Sequence, residues 1–293
     1  MQLERKRFYL YLFVIFFIFL SLFFFIKNLK TINNILSFKD FKTVYSSEKK
    51  EYDKINIEGS YIKENSKAYY RVFLPKNNKK TDAIIICPGG GYQYLVYKNE
   101  GINVAKWFQK QGFIAVVLLY RAPKQNNTEY PYNDLKETFK IIKNNSKKWN
   151  IDKIGVMGFS AGGHLAAFYS NKTSDELRPD FTILYYPVIS MKDDITHSST
   201  KSNLINNKKE LEKDYSVENL VSKKTPKTFI TYAKDDESVN IENSKIYAEK
   251  LKKYNIPFKI YEFETGGHGF GWSKKYKYQK QNKQNLLSWL KTL

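Results

Sequence analysis

Ser160 stands in Gly158-Phe159-Ser160-Ala161-Gly162-Gly163, a Gly-x-Ser-x-Gly pattern. A strand-like run, Lys153 to Met157, precedes it, and a helix-like run, His164 to Asn171, follows. A serine on a sharp strand-to-helix turn is pushed out of the sheet edge with its hydroxyl exposed. The flanking positions must be small, because side chains there would collide with the neighbouring strand or helix. Ser160 is therefore a candidate nucleophile.

A serine hydroxyl attacks well only when a base takes its proton. The chain has three histidines: His164, His197 and His268. His268 lies in the glycine-rich stretch Thr265 to Phe270, just beyond the strand-like run Pro257 to Phe263. From there it can swing toward a serine on another strand end, so it is the expected base. His164, four residues after Ser160, points along the following helix and is expected to pack or hydrogen-bond. His197 sits in a polar stretch and is expected at the surface or the pocket rim. A third group must orient the base and stabilise its charged form. Asp235, Asp236 and Glu237 follow the run Lys227 to Ala233. Asp236 is the first choice, since it starts Asp-x-x-Val ahead of a helix; Asp235 is the alternative, or a turn cap.

Attack on an ester carbonyl develops an oxyanion that needs backbone donors. The N–H of Ala161 is one candidate. Gly90 and Gly91 are the others, in Pro88-Gly89-Gly90-Gly91-Tyr92 after the run Asp82 to Cys87. Tyr92, next to them, is a possible substrate-pocket residue.

These groups need a frame that brings several strand ends together. Strand-like runs occur at 69–74, 82–87, 113–119, 153–157, 181–186, 227–233 and 257–263, several of them continuously apolar. Helical patterns at 102–111, 133–148, 161–171, 241–254 and 278–290 alternate with them. Alternation of this kind predicts an α/β fold with a mostly parallel central sheet covered by helices on both faces. Sites in such folds form at the carboxyl ends of the strands, where the glycine turns fall. Between Pro187 and Thr225 the alternation lapses; the stretch is too short for a large lid and predicts an open site.

The 293 residues suffice for one large domain. The net charge of +20 comes from scattered lysines, with local runs such as Lys274 to Lys283. No arginine cluster or nucleic-acid motif accompanies it, so a solvated lysine-rich surface is favoured and no nucleic-acid partner is expected. The single cysteine, Cys87, excludes an intramolecular disulfide and reads as a buried small hydrophobe. Residues 8–26 carry no charge, with Arg5, Lys6 and Arg7 before them and Lys27 and Lys30 after. As a helix they would reach about 28 Å, close to the apolar thickness of a bilayer. No small-x-small cleavage site follows. The segment predicts an uncleaved signal anchor after a basic flank (1–7), a connector (27–60) and a catalytic domain (61–293) on the extracytoplasmic side of a membrane.

The chain resembles the acetylxylan-esterase-like and carbohydrate-esterase-like proteins of the α/β-hydrolase superfamily, related to the hormone-sensitive-lipase family. The resemblance rests on Cys87 to Tyr92, Tyr120 to Pro123, Tyr130-Pro131 with Asp134, Gly158 to Ala166, Arg178 to Phe181, Tyr186 to Ile189, Asp236-x-x-Val239, Asn243-Ser244 and Gly266 to Phe270. The order Ser160, Asp236, His268 is that of the superfamily. The resemblance implies an α/β-hydrolase fold and a serine esterase that removes acetyl or short acyl groups, often from sugars, with no metal or organic cofactor. It implies Ser160, Asp236 and His268 as the triad, and Gly90, Gly91 and Ala161 at the oxyanion hole. Pro88 stands where many lipase-type relatives have histidine, which makes a lipid substrate less expected. Two other readings stay open. One is a prolyl-oligopeptidase-like serine peptidase, for whose propeller domain the chain has no stretch to spare. The other is a non-catalytic membrane-tethered binding protein.

Overall fold

The computed structural model describes Phe19 and residues 39–45, 55–77, 79–123 and 127–293. The chain divides into two units, Met1–Phe41 and Lys42–Leu293; the second carries the fold. Among the described residues it holds an eight-stranded sheet of Lys42–Thr43 (β1), Tyr69–Phe73 (β4), Ile114–Leu119 (β6), Thr81–Cys87 (β5), Ile151–Phe159 (β7), Phe181–Tyr185 (β8), Lys227–Ala233 (β9) and Phe258–Phe263 (β10), in that spatial order. Ile55–Glu58 (β2) and Tyr61–Asn65 (β3) form a separate hairpin.

From β6 to β10 every pairing is parallel, while β1 and β4 join antiparallel at one edge. The residues explain the division. β6 reads Ile-Ala-Val-Val-Leu-Leu and is buried throughout, as a strand with helices on both faces must be. β10, at the far edge, keeps only Phe263 buried.

The helices that cover the sheet are Asn103–Lys110 (α1), Tyr130–Asn144 (α2), Ser146–Trp149 (α3), Ser160–Lys172 (α4), Glu242–Lys253 (α7) and Gln279–Leu290 (α8). In α1 the buried side is Val104, Ala105 and Phe108, spaced for one helix face. α4 differs, being buried from Ser160 to Asn171. Its small residues let it lie against the strand ends on one side and beneath a cap on the other. The cap is the stretch without alternation. It folds as Ser198–Ile205 (α5), Lys209–Tyr215 (α6) and a 3₁₀ turn, Val217–Asn219.

One boundary is corrected. The expected connector, 27–60, is not a plain linker where it is described: Lys42–Thr43 pairs with Tyr69–Tyr70, and Ile55–Glu58 pairs with β3. Strands of two and four residues are too short to show a period in sequence; pairing with a partner strand defines them. The uncharged run 8–26, apart from Phe19, lies outside the described residues, and among those described no helix is long and apolar enough to cross a membrane.

Candidate active site

β7 ends at Phe159 and α4 begins at Ser160. Ser160 is in the left-handed region, with φ +52°, a conformation that costs a non-glycine residue of order 1–3 kcal/mol. The glycines around it make the sharp turn sterically possible. A Cβ on Gly158 would lie 2.0 Å from the carbonyl oxygen of Gly162, and one on Gly162 only 2.2 Å from that of Cys87. The helix thus starts in backbone contact with β5 and aims the serine away from the sheet.

His268 follows β10 and Asp236 follows β9, and these strands are parallel neighbours. The structure brings both side chains to Ser160. Nδ1 of His268 is 2.7 Å from Oδ2 of Asp236, and Nε2 is 2.9 Å from Oγ of Ser160. A carboxylate only accepts, so Nδ1 carries the proton; Nε2 is then the acceptor for the serine hydroxyl. The Asp236 side chain is 1% exposed. Its other oxygen accepts from the backbone N–H of Ser238 at 3.0 Å and Val239 at 2.9 Å. Those bonds fix the carboxylate plane before the histidine is met.

Asp235, the alternative acid, sits elsewhere. Its carboxylate accepts from the backbone N–H of Gly267 at 2.7 Å and Gly266 at 3.1 Å. These bonds, Gly267 first, hold its pKa below the ordinary carboxylate value. Asp235 therefore moors the loop that carries His268.

The glycine loop after β5 packs against the serine: a Cβ on Gly89 would lie 3.1 Å from that of Ser160. Gly90 has φ +130° and Gly91 φ +62°. Any side chain on Gly90 would strike the backbone of Tyr94 at 2.0 Å. Among the described residues the amides of Gly90 and Gly91 donate to no protein acceptor. Ala161, second residue of α4, has an N–H with no intrahelical carbonyl to reach. The three expected donors thus lie on the two backbone segments that flank Ser160.

Three placements go beyond the sequence reading. Tyr92, expected in the substrate pocket, is 3% exposed, and its hydroxyl donates to Nδ1 of His164 at 2.9 Å. Tyr92 also borders the cavity that Asn65, Gln93, Tyr94 and Tyr130 line, while its hydroxyl braces the loop from inside. Nε2 of His164 in turn donates to the carbonyl of Tyr215 at 2.8 Å. Burial drives the pKa of His164 down to about 4, with the Tyr215 bond opposing, so it packs as a neutral imidazole. From the cap, Asn203 donates to the carbonyl of Gly91 at 2.9 Å. His197 reaches the rim: a Cβ on Gly91 would be 3.8 Å from its ring. Burial, then the neighbouring His268, lowers the His197 pKa.

Sequence reasoning missed Glu100 altogether. It lies in a π-helical turn, Lys98–Ile102, and is 5% exposed. Its Oε2 accepts from the N–H of Gly89 at 2.8 Å, and its Oε1 from the hydroxyl of Tyr186 at 2.8 Å. Nothing local in sequence marks a lone glutamate as buried.

A mostly parallel sheet, a serine on a left-handed strand-to-helix turn after β7, and an acid and histidine beyond the ends of β9 and β10 define an α/β-hydrolase. The BD-FAE family model matches residues 71–186. An acetyl ester-xyloside bifunctional hydrolase from Caldicellulosiruptor lactoaceticus is 31% identical, with a TM-score of 0.71 over 86% of this chain and 95% of its own. A sugar hydrolase from Lactococcus lactis is 32% identical, with a TM-score of 0.67 over 77% and 92%. The acetylxylan esterase of Xylanibacter ruminicola is 37% identical over 79% of this chain and 50% of its own length. The chain thus spans about half the length of that curated relative. It belongs to the acetylxylan-esterase-like group of the α/β-hydrolase superfamily.

Proposed function

We propose that this chain is a serine carboxylic-ester hydrolase that removes acetyl or short acyl groups from a carbohydrate or small ester. The observation that carries the reading is the unbroken hydrogen-bonded line from Asp236 through His268 to Ser160, with Ser160 held at a left-handed strand end. Oγ of Ser160 attacks the ester carbonyl carbon as its proton passes to Nε2 of His268. Asp236 stabilises the imidazolium that results. The amides of Gly90, Gly91 and Ala161 receive the oxyanion. Collapse breaks the bond to the alcohol, which takes the proton from His268. Water, deprotonated by His268, then releases the acid from the acyl-enzyme.

Two observations favour a sugar-borne acetyl group. The relatives include an acetylxylan esterase and an acetyl ester-xyloside hydrolase. A cavity of about 200 Å³ also opens beside the glycine loop, lined by Asn65, Gln93, Tyr94 and Tyr130 among others. Aromatic rings beside amides suit a polar ring with apolar faces. Full-chain protein in detergent should therefore deacetylate acetylated xylo-oligosaccharides, and turnover on p-nitrophenyl esters should fall as the acyl chain lengthens from acetyl to octanoyl. Mass spectrometry and absorbance read the two arms. A rate that rises with chain length, with acetylated sugars untouched, would replace this reading with a lipase.

Residues 8–26 are proposed to anchor the enzyme as a single membrane pass, with the catalytic domain extracytoplasmic. Their uncharged length supports the span, and the long domain that follows a single anchor supports the orientation. The full chain should stay in the membrane fraction through alkaline carbonate extraction, and protease added to spheroplasts should digest its C-terminal part. Release by carbonate would exclude the anchor, and protection from protease would reverse the orientation.

A further inference from the structure

We propose that Glu100 is a positioning residue of this site, a buried carboxylate that ties the glycine loop to the tyrosine supporting His268 and whose charge favours the imidazolium formed during attack. The proposal rests on the reading of His268 as base.

Both carboxylate oxygens of Glu100 are engaged. Glu100 accepts from Gly89, which packs on Ser160, and from Tyr186, which follows β8. The Tyr186 ring meets the His268 ring edge to face, centroids 4.9 Å apart, and meets Phe270 at the same distance. Tyr186 has φ +37°, a backbone conformation a bulky residue avoids unless its surroundings impose it. Gly271 is cut to fit it: a Cβ there would lie 2.7 Å from the tyrosine hydroxyl. Chain strain and an obligatory glycine are thus both spent on bringing this hydroxyl to Glu100.

Both oxygens of Glu100 accept from groups that donate to it, the arrangement of a carboxylate rather than a carboxylic acid. Burial raises its pKa, opposed by the bonds from Tyr186 and Gly89 and by His268. Tyr186 stays protonated, its pKa held far up by burial and then by Glu100. The titratable groups that act on His268 are Asp236 after β9, His197 ahead of α5, Tyr186 after β8 and Glu100; those that act on Glu100 are Tyr186, Tyr120 after β6 and His268. Among them Asp236 and Glu100 bring negative charge. Asp236 acts through direct contact, whereas Glu100 acts without contact through a low-dielectric interior that screens weakly.

Glu100→Gln separates charge from shape. Its amide oxygen still accepts from Gly89, and its NH₂ can donate to a turned Tyr186 hydroxyl. The variant should keep the melting temperature of the wild type within a few degrees. Its kcat on p-nitrophenyl acetate should fall on the order of tenfold, with KM changed less than about threefold. The acid limb of its pH–rate profile should move to lower pH, because a nearby negative charge favours the protonated base and its removal disfavours it. Tyr186→Phe, which removes one oxygen atom, should move the limb the same way. The double variant should be no slower than the slower single one. An unmoved limb with kcat near wild type in Glu100→Gln would overturn the proposal. Should that variant fail to fold, an unmoved limb in Tyr186→Phe would do so alone. If Ser160→Ala kept turnover, the reading of the base would fall first; if it is inert while Glu100→Gln behaves as wild type, only the role of Glu100 is lost.

Discussion

Ser160→Ala should cut p-nitrophenyl acetate hydrolysis at least about 10⁴-fold while leaving the fold in place. The nucleophilic oxygen is the atom removed, and the described structure offers no second hydroxyl hydrogen-bonded to His268. Stability should change little. Ser160 is 5% exposed and its φ of +52° is imposed by the glycine turn, so alanine meets the same backbone cost as serine. The variant loses one hydrogen bond of 2.9 Å, a loss of about 0.5–1.5 kcal/mol. Stopped assays against the uncatalysed rate, thermal melts and labelling by a fluorophosphonate probe read the three quantities. The wild type should label and the variant should not. Comparable turnover by both proteins would remove the acyl-enzyme mechanism and reopen the non-catalytic reading.

The frame of this site was largely legible in the sequence because buried parallel strands write continuous apolar runs. Lys227–Ala233 carries the expected bounds, and other runs shifted at their ends. β7 extends from the expected 153–157 to Ile151–Phe159. Asp152 and Lys153 break its apolar pattern, yet they are held at the strand start by Lys80 at 2.7 Å and by Asp82, which accepts the Lys153 N–H at 3.2 Å. The helix expected over 133–148 begins earlier, at Tyr130, and splits at Asn145, whose side chain turns back onto the carbonyl of Ile141 at 2.8 Å. Asn also competes locally for backbone carbonyls elsewhere, but a break after four turns is not marked by glycine or proline. The open site expected for 187–226 is in part covered, since α5 sends Asn203 to Gly91 across 112 positions.

What stayed hidden shares one cause. Ser160, Asp236 and His268 announce themselves because each sits in a local pattern: a glycine turn, an acidic strand end, a glycine-rich loop. Glu100 has no such pattern, and although Tyr186 stands in the stretch Tyr186 to Ile189, nothing there marks the bond its hydroxyl makes to Glu100 86 positions away. Tyr92 borders the cavity, and its bracing role was not legible. Its neighbours mark a functional loop, but its own hydroxyl is spent inside on His164.

Asp236→Asn should lower kcat by about 10⁴-fold, whereas Asp235→Asn should cost no more than about tenfold. The difference follows from which atoms each acid meets. Oδ1 of Asp236 is fixed by two backbone donors, Ser238 and Val239. In asparagine the carbonyl oxygen must keep that place, so the NH₂ is turned toward Nδ1 of His268. Two donors cannot face one another; the ring therefore takes the tautomer with its proton on Nε2. That nitrogen, 2.9 Å from Oγ of Ser160, then donates to the serine instead of accepting from it. The base is present and correctly placed, but already carries the proton it should receive. Asp235 touches only the amides of Gly266 and Gly267, and asparagine still satisfies one of them, so the loop loosens without changing the tautomer of His268. Initial rates for the two variants, beside melting curves that show both folded, separate the roles. Equal losses, or a fast Asp236→Asn enzyme, would give the third place to another acid and leave the bonds from Ser238 and Val239 to Asp236 as a turn cap alone.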